Sequence, residues 1–428
     1  MKVDVIVGGL YGDEGKGKVV SNLGKKYDYI FRVNASTNAS HTVVLENGKS
    51  FVTKQLPSVF GKDDVKFVVA PGAILNLHAL RLELESRNDL DKIYNKVTIA
   101  SSISLLISPY IDRNKSQNHS KKYGSTNQGT GNAIIARDAR HSVKLMDVQN
   151  TINNIITFET LVNKIKESCY ELDKAFYQDK KEEYFTLEAN NLLEDYKKIE
   201  KLIGSFCKDY SNFLYNIESN SNILIEGCNG IMLDNLHGLN PFTTSASTSI
   251  NSLLNGANIS PCYLNEMYVI ITGYFCCLNK RPFLTEMDEE DANSLFKYNS
   301  EVDDAENMKR RLGWFDLPTL RKSLIGHKNA KLILNKLDIM QDLKKVKVCD
   351  YYLNEQNKKI YVMPDDVDQL KQLKPHYKEF KGWGNIDNID KNNIPSTLKE
   401  FIKYIEKETK EKVAYIGIGR KDKDLIKL

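Results

Sequence analysis

Short runs of apolar, mostly β-branched residues recur along the chain and predict buried strands. The first run, residues 3–7, is broken by a single Asp and is followed by Gly8 and Gly9. Further runs of this kind occupy residues 29–33, 65–70, 222–225, 267–273, 331–334 and 413–416. Several of them end at a polar or glycine-rich turn, as parallel strands do when helices cover both faces of a sheet. The pattern predicts an α/β fold with a large, mostly parallel central sheet flanked by helices, with helical and loop excursions.

A different pattern occupies residues 151–217. This stretch is rich in Glu, Lys, Leu and Tyr, contains one Gly and no Pro, and has apolar residues at helical spacing. Helices with such a pattern commonly do no more than cover a sheet. We therefore expect a single domain over residues 1–428 with a helical excursion at 151–217 inside it.

Composition narrows the class of protein. The 428 residues are 41% hydrophobic and 27% charged, which is typical of globular proteins and not of disordered or collagen-like chains. No apolar run approaches the ~18 residues of a membrane helix, and the N-terminus becomes glycine-rich too early for a signal peptide. A net charge of +4 is too balanced to favour nucleic-acid binding. Seven cysteines, scattered except for Cys276-Cys277 and without a C-x-x-C pair, favour reduced thiols in a cytoplasmic protein.

The strongest local signal is a glycine-dense loop that follows the first predicted strand and leads to a helix predicted from Val19. The loop ends with Gly12, Asp13, Glu14, Gly15, Lys16, Gly17 and Lys18. Glycines let backbone N–H groups converge on phosphate oxygens, and a helix N-terminus with two lysines adds positive potential. The loop is not a Walker loop, because the upstream glycine is one residue too far away and Gly17 replaces the hydroxyl residue. A carboxylate at Asp13 inside such a loop indicates a metal ligand or a base.

Two later segments carry candidate chemistry. Residues 34–42 are small and polar and contain His41, which titrates near neutral pH and suits a general acid or a phosphate partner. A lone His is nevertheless more often structural.

A guanine-binding motif follows the strand predicted at 331–334. The Asp338 carboxylate can accept hydrogen bonds from both N1–H and the 2-amino group of guanine, with the Lys336 side chain lying along the base. Adenine presents no donor at those positions, so this short motif favours guanine.

Clusters of hydroxyl residues and glycines recur at residues 124–131, 226–230 and 243–248, and a basic segment occupies residues 309–314. Such clusters are usually turns. Several of them in one chain with a phosphate loop predict a nucleotide site assembled from distant segments.

Residues 12–18 resemble the signature of the adenylosuccinate synthetases, and Asn-Ala-Ser-His-Thr at 38–42 resembles that family's Asn-Ala-Gly-His-Thr motif. The order and spacing of later segments agree through 334–338 and 416–419, so the resemblance extends from about residue 3 to 425. It implies a cytoplasmic, homodimeric ligase that joins L-aspartate to C6 of IMP, with GTP as co-substrate and Mg²⁺ as cofactor. The purine O6 would first be phosphorylated by GTP, and the amine would then displace phosphate from C6.

The resemblance also implies roles for individual residues. Asp13, as base, and His41 would be catalytic, and Asp13 and the backbone of Ser40 would bind the metal. GTP would be bound by Gly12, Asp13, Glu14, Gly15, Lys16, Gly17, Lys18, Ser40, His41, Thr42, Arg310, Lys336, Leu337, Asp338, Gly417, Ile418 and Gly419. The purine nucleotide would contact Asp13, Lys16, Asn38, His41, Thr126, Asn229, Thr244 and Met308, and Arg140 would reach its phosphate from the other subunit of the homodimer.

The loop that would bind the amine substrate departs from the family pattern, which reads Thr-Thr-Gly-Arg ahead of a second arginine. Here it comprises Asp304, Ala305, Glu306, Asn307, Met308, Lys309 and Arg310. Arg310 is retained, but two hydroxyls and one arginine are lost and acidic residues arrive. Carboxylates are normally recognised by Arg or by backbone donors. The loop therefore leaves open whether aspartate is the amine donor.

Three alternatives remain beside aspartate ligation to IMP. The same O6 activation is compatible with a guanine or deoxyribose nucleotide as acceptor, and with an amine other than aspartate. A guanine-nucleotide-binding protein without ligase activity is a third, from another functional class. Retention of both Asp13 and His41 counts against it, because a protein that only binds the nucleotide needs neither.

Overall fold

A computed structural model describes residues 1–117, 126–278, 280–296 and 310–428, together with the backbone of residues 302–303 and 308–309. The strands are β1 Lys2–Gly8, β2 Tyr29–Arg32, β3 His41–Val44, β4 Ser50–Thr53, β5 Lys66–Val69, β6 Ile74–Leu75, β7 Val97–Ala100, β8 Ser104–Leu105, β9 Cys207–Lys208, β10 Asn222–Gly230, β11 Leu264–Thr272, β12 Phe275–Cys277, β13 Val302–Asp303, β14 Met308–Lys309, β15 Arg311–Gly313, β16 Phe315–Asp316, β17 Lys331–Asn335, β18 Lys345–Leu353, β19 Lys359–Ile360, β20 Lys374–Lys381, β21 Val413–Gly417 and β22 Leu425–Lys427.

The α-helices are α1 Lys16–Gly24, α2 Leu77–Glu85, α3 Leu90–Ile93, α4 Ser108–Ser116, α5 Thr130–Asp138, α6 Leu145–Ile152, α7 Phe158–Tyr177, α8 Glu182–Ile203, α9 Tyr210–Tyr215, α10 Ile250–Gly256, α11 Glu289–Phe296, α12 Leu317–Leu324, α13 Val367–Lys371 and α14 Ser396–Thr409. Short 3₁₀ turns lie at Ile231–Leu233, Pro261–Tyr263 and Asp338–Met340. In the described ranges, none of the helices is long and apolar enough to cross a membrane.

A ten-stranded sheet lies at the centre of the fold, in the order β22-β21-β17-β11-β1-β10-β2-β5-β7-β9. Every neighbouring pair is parallel except β21 and β22, which pair antiparallel at one edge. The predicted mostly parallel sheet is confirmed, and each of the seven predicted runs forms one of its strands. Their near-continuous apolar sequences are explained by burial, because β1, β10 and β17 are covered on both faces.

Other strands were missed by the sequence patterns. β7 is only four residues long and β9 only two, and β9 lies inside the stretch predicted to be helical. β18 and β20 pair antiparallel in a second, smaller sheet. In both of them apolar residues alternate with lysines and other exposed residues, so they lack the continuous apolar run that marks a buried parallel strand.

The predicted helical stretch contains α7, α8 and α9. Its apolar stripe is buried as the spacing predicts, through Leu161, Ile165 and Cys169 on α7 and Leu192, Tyr196, Ile199 and Ile203 on α8. α7 and α8 pack on each other, and α8 also packs on α2. The assignment of residues 1–428 to a single domain remains a prediction.

Candidate functional site

The glycine loop is folded around a buried carboxylate. Oε1 of Glu14 accepts hydrogen bonds from the backbone N–H groups of Leu10 (3.0 Å) and Gly12 (2.9 Å), and Oε2 accepts one from Nζ of Lys16 (2.6 Å). A Cβ on Gly8 would lie 2.3 Å from Oε2, so only glycine leaves room for this carboxylate. Glu14 therefore faces the inside of the loop, where it fixes the loop's shape by occupying two of its amides.

The helix after the loop begins at Lys16, three residues earlier than predicted. Lys16, Gly17 and Lys18 consequently belong to the first turn of α1 and not to the loop. At Gly17 a Cβ would lie 2.7 Å from the carbonyl oxygen of Thr42, so the missing side chain lets α1 approach β3, which begins at His41.

The loops after β1, β17 and β21 interlock. Asn335, the last residue of β17, donates from Nδ2 to the carbonyl oxygen of Glu14 (2.8 Å). Lys18 donates from Nζ to the carbonyl oxygen of Gly419 (2.8 Å), and burial lowers the pKa of Lys18 to about 8. The N–H of Leu337 donates to the carbonyl oxygen of Gly417 (3.2 Å). The residues predicted to bind guanine are thus brought against the glycine loop.

Asp338 has the properties expected of an acceptor that awaits a ligand. Its Oδ1 is buried and has no hydrogen-bond partner among the described residues. Burial raises the pKa of Asp338, while the charges of Lys18 and Lys336 act in the opposite direction. An unpaired buried oxygen is costly and is normally satisfied by a partner. The N1–H and 2-amino donors of guanine are suitable partners for this carboxylate.

Asp13 lies beside the one arginine retained from the amine-substrate loop. Its backbone adopts a left-handed conformation (φ 61°), and its Oδ2 accepts a hydrogen bond from Nε of Arg310 (3.0 Å). The Asp13 side chain is 35% exposed and that of Arg310 is 15% exposed. The candidate base and a candidate carboxylate-binding cation are therefore adjacent. Asp304, Ala305, Glu306 and Asn307, as well as the side chains of Met308 and Lys309, lie outside the described residues.

His41 belongs to a buried polar network that the sequence patterns did not reveal. Its Nδ1 lies 2.5 Å from Oε1 of Glu226 and 2.7 Å from Nη1 of Arg32. Arg32 in turn forms an ion pair with Oε1 of Glu226 (2.5 Å), and Ser58 donates to both oxygens of Glu226, through Oγ to Oε1 (2.6 Å) and N–H to Oε2 (2.9 Å). Nε2 of His41 is buried and has no partner in the described part of the chain.

The electrostatics of this network keep His41 neutral. Burial, together with the charge of Arg32, lowers the pKa of His41 to about 4, although Glu226 acts in the opposite direction. Burial disfavours ionisation of Glu226, but Arg32 and the hydrogen bonds from His41 and Ser58 hold its pKa at about 2. Glu226 is therefore a buried carboxylate with Arg32 as its counter-charge.

Two features of the sequence could have revealed the network. Arg32 interrupts the otherwise apolar run 29–33, and Glu226 follows the apolar run 222–225 directly. A charged residue at the end of a buried strand requires a partner. The register places the two residues opposite each other on the neighbouring strands β2 and β10.

The residues predicted to bind the purine nucleotide are brought together only in part. Nδ2 of Asn38 donates to Oγ1 of Thr244 (3.4 Å), and Asn229 lies at the end of β10 with a left-handed backbone (φ 60°). Thr126 is partly buried ahead of α5. Arg140 follows α5 and is exposed on the surface of the chain, where a second subunit would have access to it.

The predicted metal ligands suit Mg²⁺ in their chemistry. The Asp13 carboxylate and the carbonyl group of the exposed Ser40 are oxygen donors, which Mg²⁺ prefers. Within the described ranges, no group of three or more His, Cys, Asp or Glu side chains is arranged to hold a metal.

Comparisons with known proteins agree with the predicted fold and family. The family model described as adenylosuccinate synthetase matches residues 5–426. The chain is 30% identical to the adenylosuccinate synthetase of Borrelia duttonii, over 98% of this chain and 96% of that protein. It is 29% identical to that of Thermodesulfovibrio yellowstonii, over 100% and 99% of the two chains.

Solved structures extend this similarity. The structure of fully ligated adenylosuccinate synthetase from Plasmodium falciparum has a TM-score of 0.89 at 25% identity, with 100% of both chains covered. The succinoaminodeoxyadenylate synthetase of cyanophage S-2L, bound to dGMP and dATP, shares the fold, with a TM-score of 0.64 at 16% identity, covering 100% of this chain and 95% of that one. The predicted α/β fold is thereby confirmed.

In the free protein we expect the His41 ring to stay neutral from pH 8 down to about pH 5. The pKa of His41 in the folded state, about 4, lies below the ~6.5 of an unperturbed histidine. Lowering the pH below ~6.5 therefore protonates the unfolded chain first, and the stability contributed by the neutral ring is lost between pH 6.5 and 4. Long-range ¹H–¹⁵N spectra of ¹⁵N-histidine-labelled protein, assigned with His41→Asn, measure the titration. A midpoint near 6.5 would contradict this electrostatic picture.

Proposed function

The chain belongs to the adenylosuccinate synthetase family of carbon–nitrogen ligases, and we propose that it joins L-aspartate to C6 of IMP with GTP as phosphoryl donor. The proposed product is adenylosuccinate. The observation that carries the proposal is the interlocking of the loops after β1, β17 and β21, which hold Asp13 and the unpaired oxygen of Asp338 at one edge of the sheet, while His41 lies beside the first turn of α1. A protein that only binds guanine nucleotides needs Asp338 but has no use for a base and an acid beside the phosphates.

The difficult step is the loss of an amide-like oxygen from C6, because that oxygen is a poor leaving group. In the proposed mechanism Asp13 takes the N1 proton, and the purine O6 attacks the γ-phosphate of GTP, so that the bond to the β-phosphate breaks and GDP leaves. Arg310 donates to Oδ2 of Asp13, which leaves Oδ1 as the proton acceptor. The amine then attacks C6 and displaces phosphate.

His41 would act on the phosphoryl oxygens. Its Nδ1 is occupied by Glu226, so Nε2 is the nitrogen left for the substrate. An approaching phosphate favours the imidazolium form and raises the pKa of His41 from its low value in the free protein. The proton at Nε2 then stabilises charge that develops on the transferred group.

The remaining ligands are those that the family resemblance implies. Asp13 and the carbonyl of Ser40 would hold Mg²⁺, which supplies neutralisation of phosphate charge when bound. Asn38, Thr126, Asn229 and Thr244 would contact the purine nucleotide, and Lys336, Leu337, Asp338 and residues 417–419 would hold the guanine of GTP. In a homodimer, Arg140 would reach the nucleotide phosphate of the neighbouring subunit.

The test of the amine donor uses the wild-type protein with GTP, Mg²⁺, IMP and a panel of amines, and reads the products by mass spectrometry. We expect aspartate to be used, but with a Michaelis constant about tenfold or more above that of Met308→Arg. Charge-assisted hydrogen bonds are worth ~1.5–3 kcal/mol each, and the wild-type loop has one arginine fewer than the family pattern.

Met308→Leu is the matched control, because it changes the side chain without adding charge and should leave the aspartate constant unchanged. Absence of any aspartate-dependent product from both wild type and Met308→Arg would exclude aspartate as donor. Product from dGMP but not from IMP would instead assign the acceptor to a guanine deoxynucleotide.

Guanine recognition predicts a preference for GTP over ATP of at least ~2 kcal/mol, or about 30-fold in kcat/KM, because adenine would leave the Asp338 carboxylate buried and unpaired. Asp338→Asn should remove most of this preference. Asp365→Asn, which changes an acid with a 93% exposed side chain, is the control and should preserve it. Equal use of ATP and GTP by the wild type would refute this assignment of the guanine site.

The shared-site prediction concerns assembly. Arg140→Leu and Asp13→Asn should each be inactive alone, since each removes a different part of the same site. Mixing the two chains under conditions of subunit exchange should restore part of the activity, because some mixed dimers contain one site with both residues intact. No recovery despite heterodimers detected by native mass spectrometry would show that the site is not shared.

A further inference from the structure

We propose that Glu226 is the positioning residue of His41: it accepts a hydrogen bond from Nδ1–H of the imidazole, and so fixes the ring with Nε2 available to the phosphoryl group. The catalytic part of this inference rests on the proposed function, whereas the hydrogen-bond pattern does not. Arg32 and Ser58 support Glu226 in this role, because they hold its carboxylate in place and keep it ionised.

The position of Glu226 is set by the central sheet. Glu226 on β10 and Arg32 on β2 are paired in the parallel register, and both side chains are fully buried. β1, which leads into the glycine loop, pairs with the other side of β10. The carboxylate therefore projects from a strand that cannot shift without disturbing the strands on either side of it.

The orientation of the carboxylate is set by Ser58. Its Oγ donates to Oε1 of Glu226 (2.6 Å) and its N–H donates to Oε2 (2.9 Å), so each oxygen has a donor from the same residue. Oε1 also contacts Nη1 of Arg32 and Nδ1 of His41. Rotation of the carboxylate would break these hydrogen bonds inside a site that water does not reach.

The chemistry of the pair assigns the histidine tautomer. Nδ1 of His41 lies 2.5 Å from Oε1 of Glu226, which only accepts hydrogen bonds, and 2.7 Å from Nη1 of Arg32, which only donates them. Because Nη1 of Arg32 already donates to Oε1 of Glu226, we assign the Nδ1 proton to the shorter contact with the carboxylate. The neutral ring then has its lone pair on Nε2. A ring held in this way has a fixed orientation and presents Nε2 to an arriving phosphate, as the histidine of a catalytic triad is oriented by its carboxylate.

The alternative is that the ion pair between Glu226 and Arg32 has only a structural role. If Glu226 served only to neutralise Arg32, replacing both residues by neutral ones of similar size would leave the tautomer and turnover of the enzyme unaltered. Measuring the tautomer therefore separates a positioning role from a structural one.

The main test uses the full-length double variant Arg32→Gln/Glu226→Gln, which removes both charges together and leaves no uncompensated buried ion. The Ser58 N–H continues to favour an oxygen at the Oε2 position, so the new amide nitrogen occupies the Oε1 position and donates to Nδ1. The neutral ring should then switch from the Nδ1–H to the Nε2–H tautomer, which ¹⁵N chemical shifts of the labelled protein report. The kcat for GTP- and IMP-dependent phosphate release should fall about 10- to 100-fold, with KM values within about threefold.

Glu226→Asp provides a second measurement if the double variant does not fold. It retains the counter-charge for Arg32 but withdraws the carboxylate from Nδ1, so kcat should fall about tenfold or more without loss of the folded state. The control is Arg321→Gln/Glu408→Gln, which removes a partly buried ion pair (2.8 Å) between α12 and α14. It should leave the tautomer and kcat unchanged.

Retention of the Nδ1–H tautomer in the double variant, or a kcat within about threefold of wild type in either Glu226 variant, would overturn the proposal. Failure of the wild type to form any GTP-dependent product is a separate outcome that refutes the proposed function. In that case the ¹⁵N spectra, recorded without substrates, still decide whether Glu226 fixes the His41 tautomer.

Discussion

Parallel pairing of neighbouring strands is the constraint on which the candidate site depends. β21, β17, β11, β1, β10 and β2 lie side by side and run in the same direction, so the loops at their carboxyl ends share one edge of the sheet. Residues as distant in sequence as Lys18 and Gly419 become hydrogen-bonded neighbours there. A nucleotide site assembled from distant segments is the consequence expected of open parallel sheets.

Buried carboxylates connect that edge to the chemistry proposed for it. Glu14 shapes the glycine loop from within and is neutralised by Lys16, while Glu226 orients His41 and is neutralised by Arg32. Each pair is inaccessible to solvent, so removing a single partner would leave an uncompensated charge in the protein interior. Precise placement of Asp13 and His41 is therefore inseparable from the packing of the strands beneath them.

The sequence was sufficient for seven of the ten strands of the central sheet and for the location of the glycine loop, because buried parallel strands and phosphate-binding glycines have local signatures. It was not sufficient for the network of Arg32, Ser58 and Glu226. Those residues are separated by up to 194 positions and meet only through strand register. The inward orientation of Glu14 could not be predicted either. The sequence alone does not distinguish a carboxylate that binds the loop's own amides from one that faces a ligand. The start of α1 was misplaced because Lys16-Gly17-Lys18 looks like loop sequence, although glycine is required there for close approach to β3.

The amine-substrate loop departs from the family pattern next to a short pair of strands. β13 and β14 form an antiparallel hairpin outside the central sheet. Arg310 follows this hairpin directly and donates a hydrogen bond to Asp13. Asp13 lies in the glycine loop, which follows β1 of the central sheet. A carboxylate of the amine substrate that binds Arg310 would compete with Asp13 for the same guanidinium. If Arg310 binds the amine substrate and Asp13 is the base, as proposed, amine recognition and proton abstraction are linked through this one arginine, which gives a physical reason for an arginine at position 310.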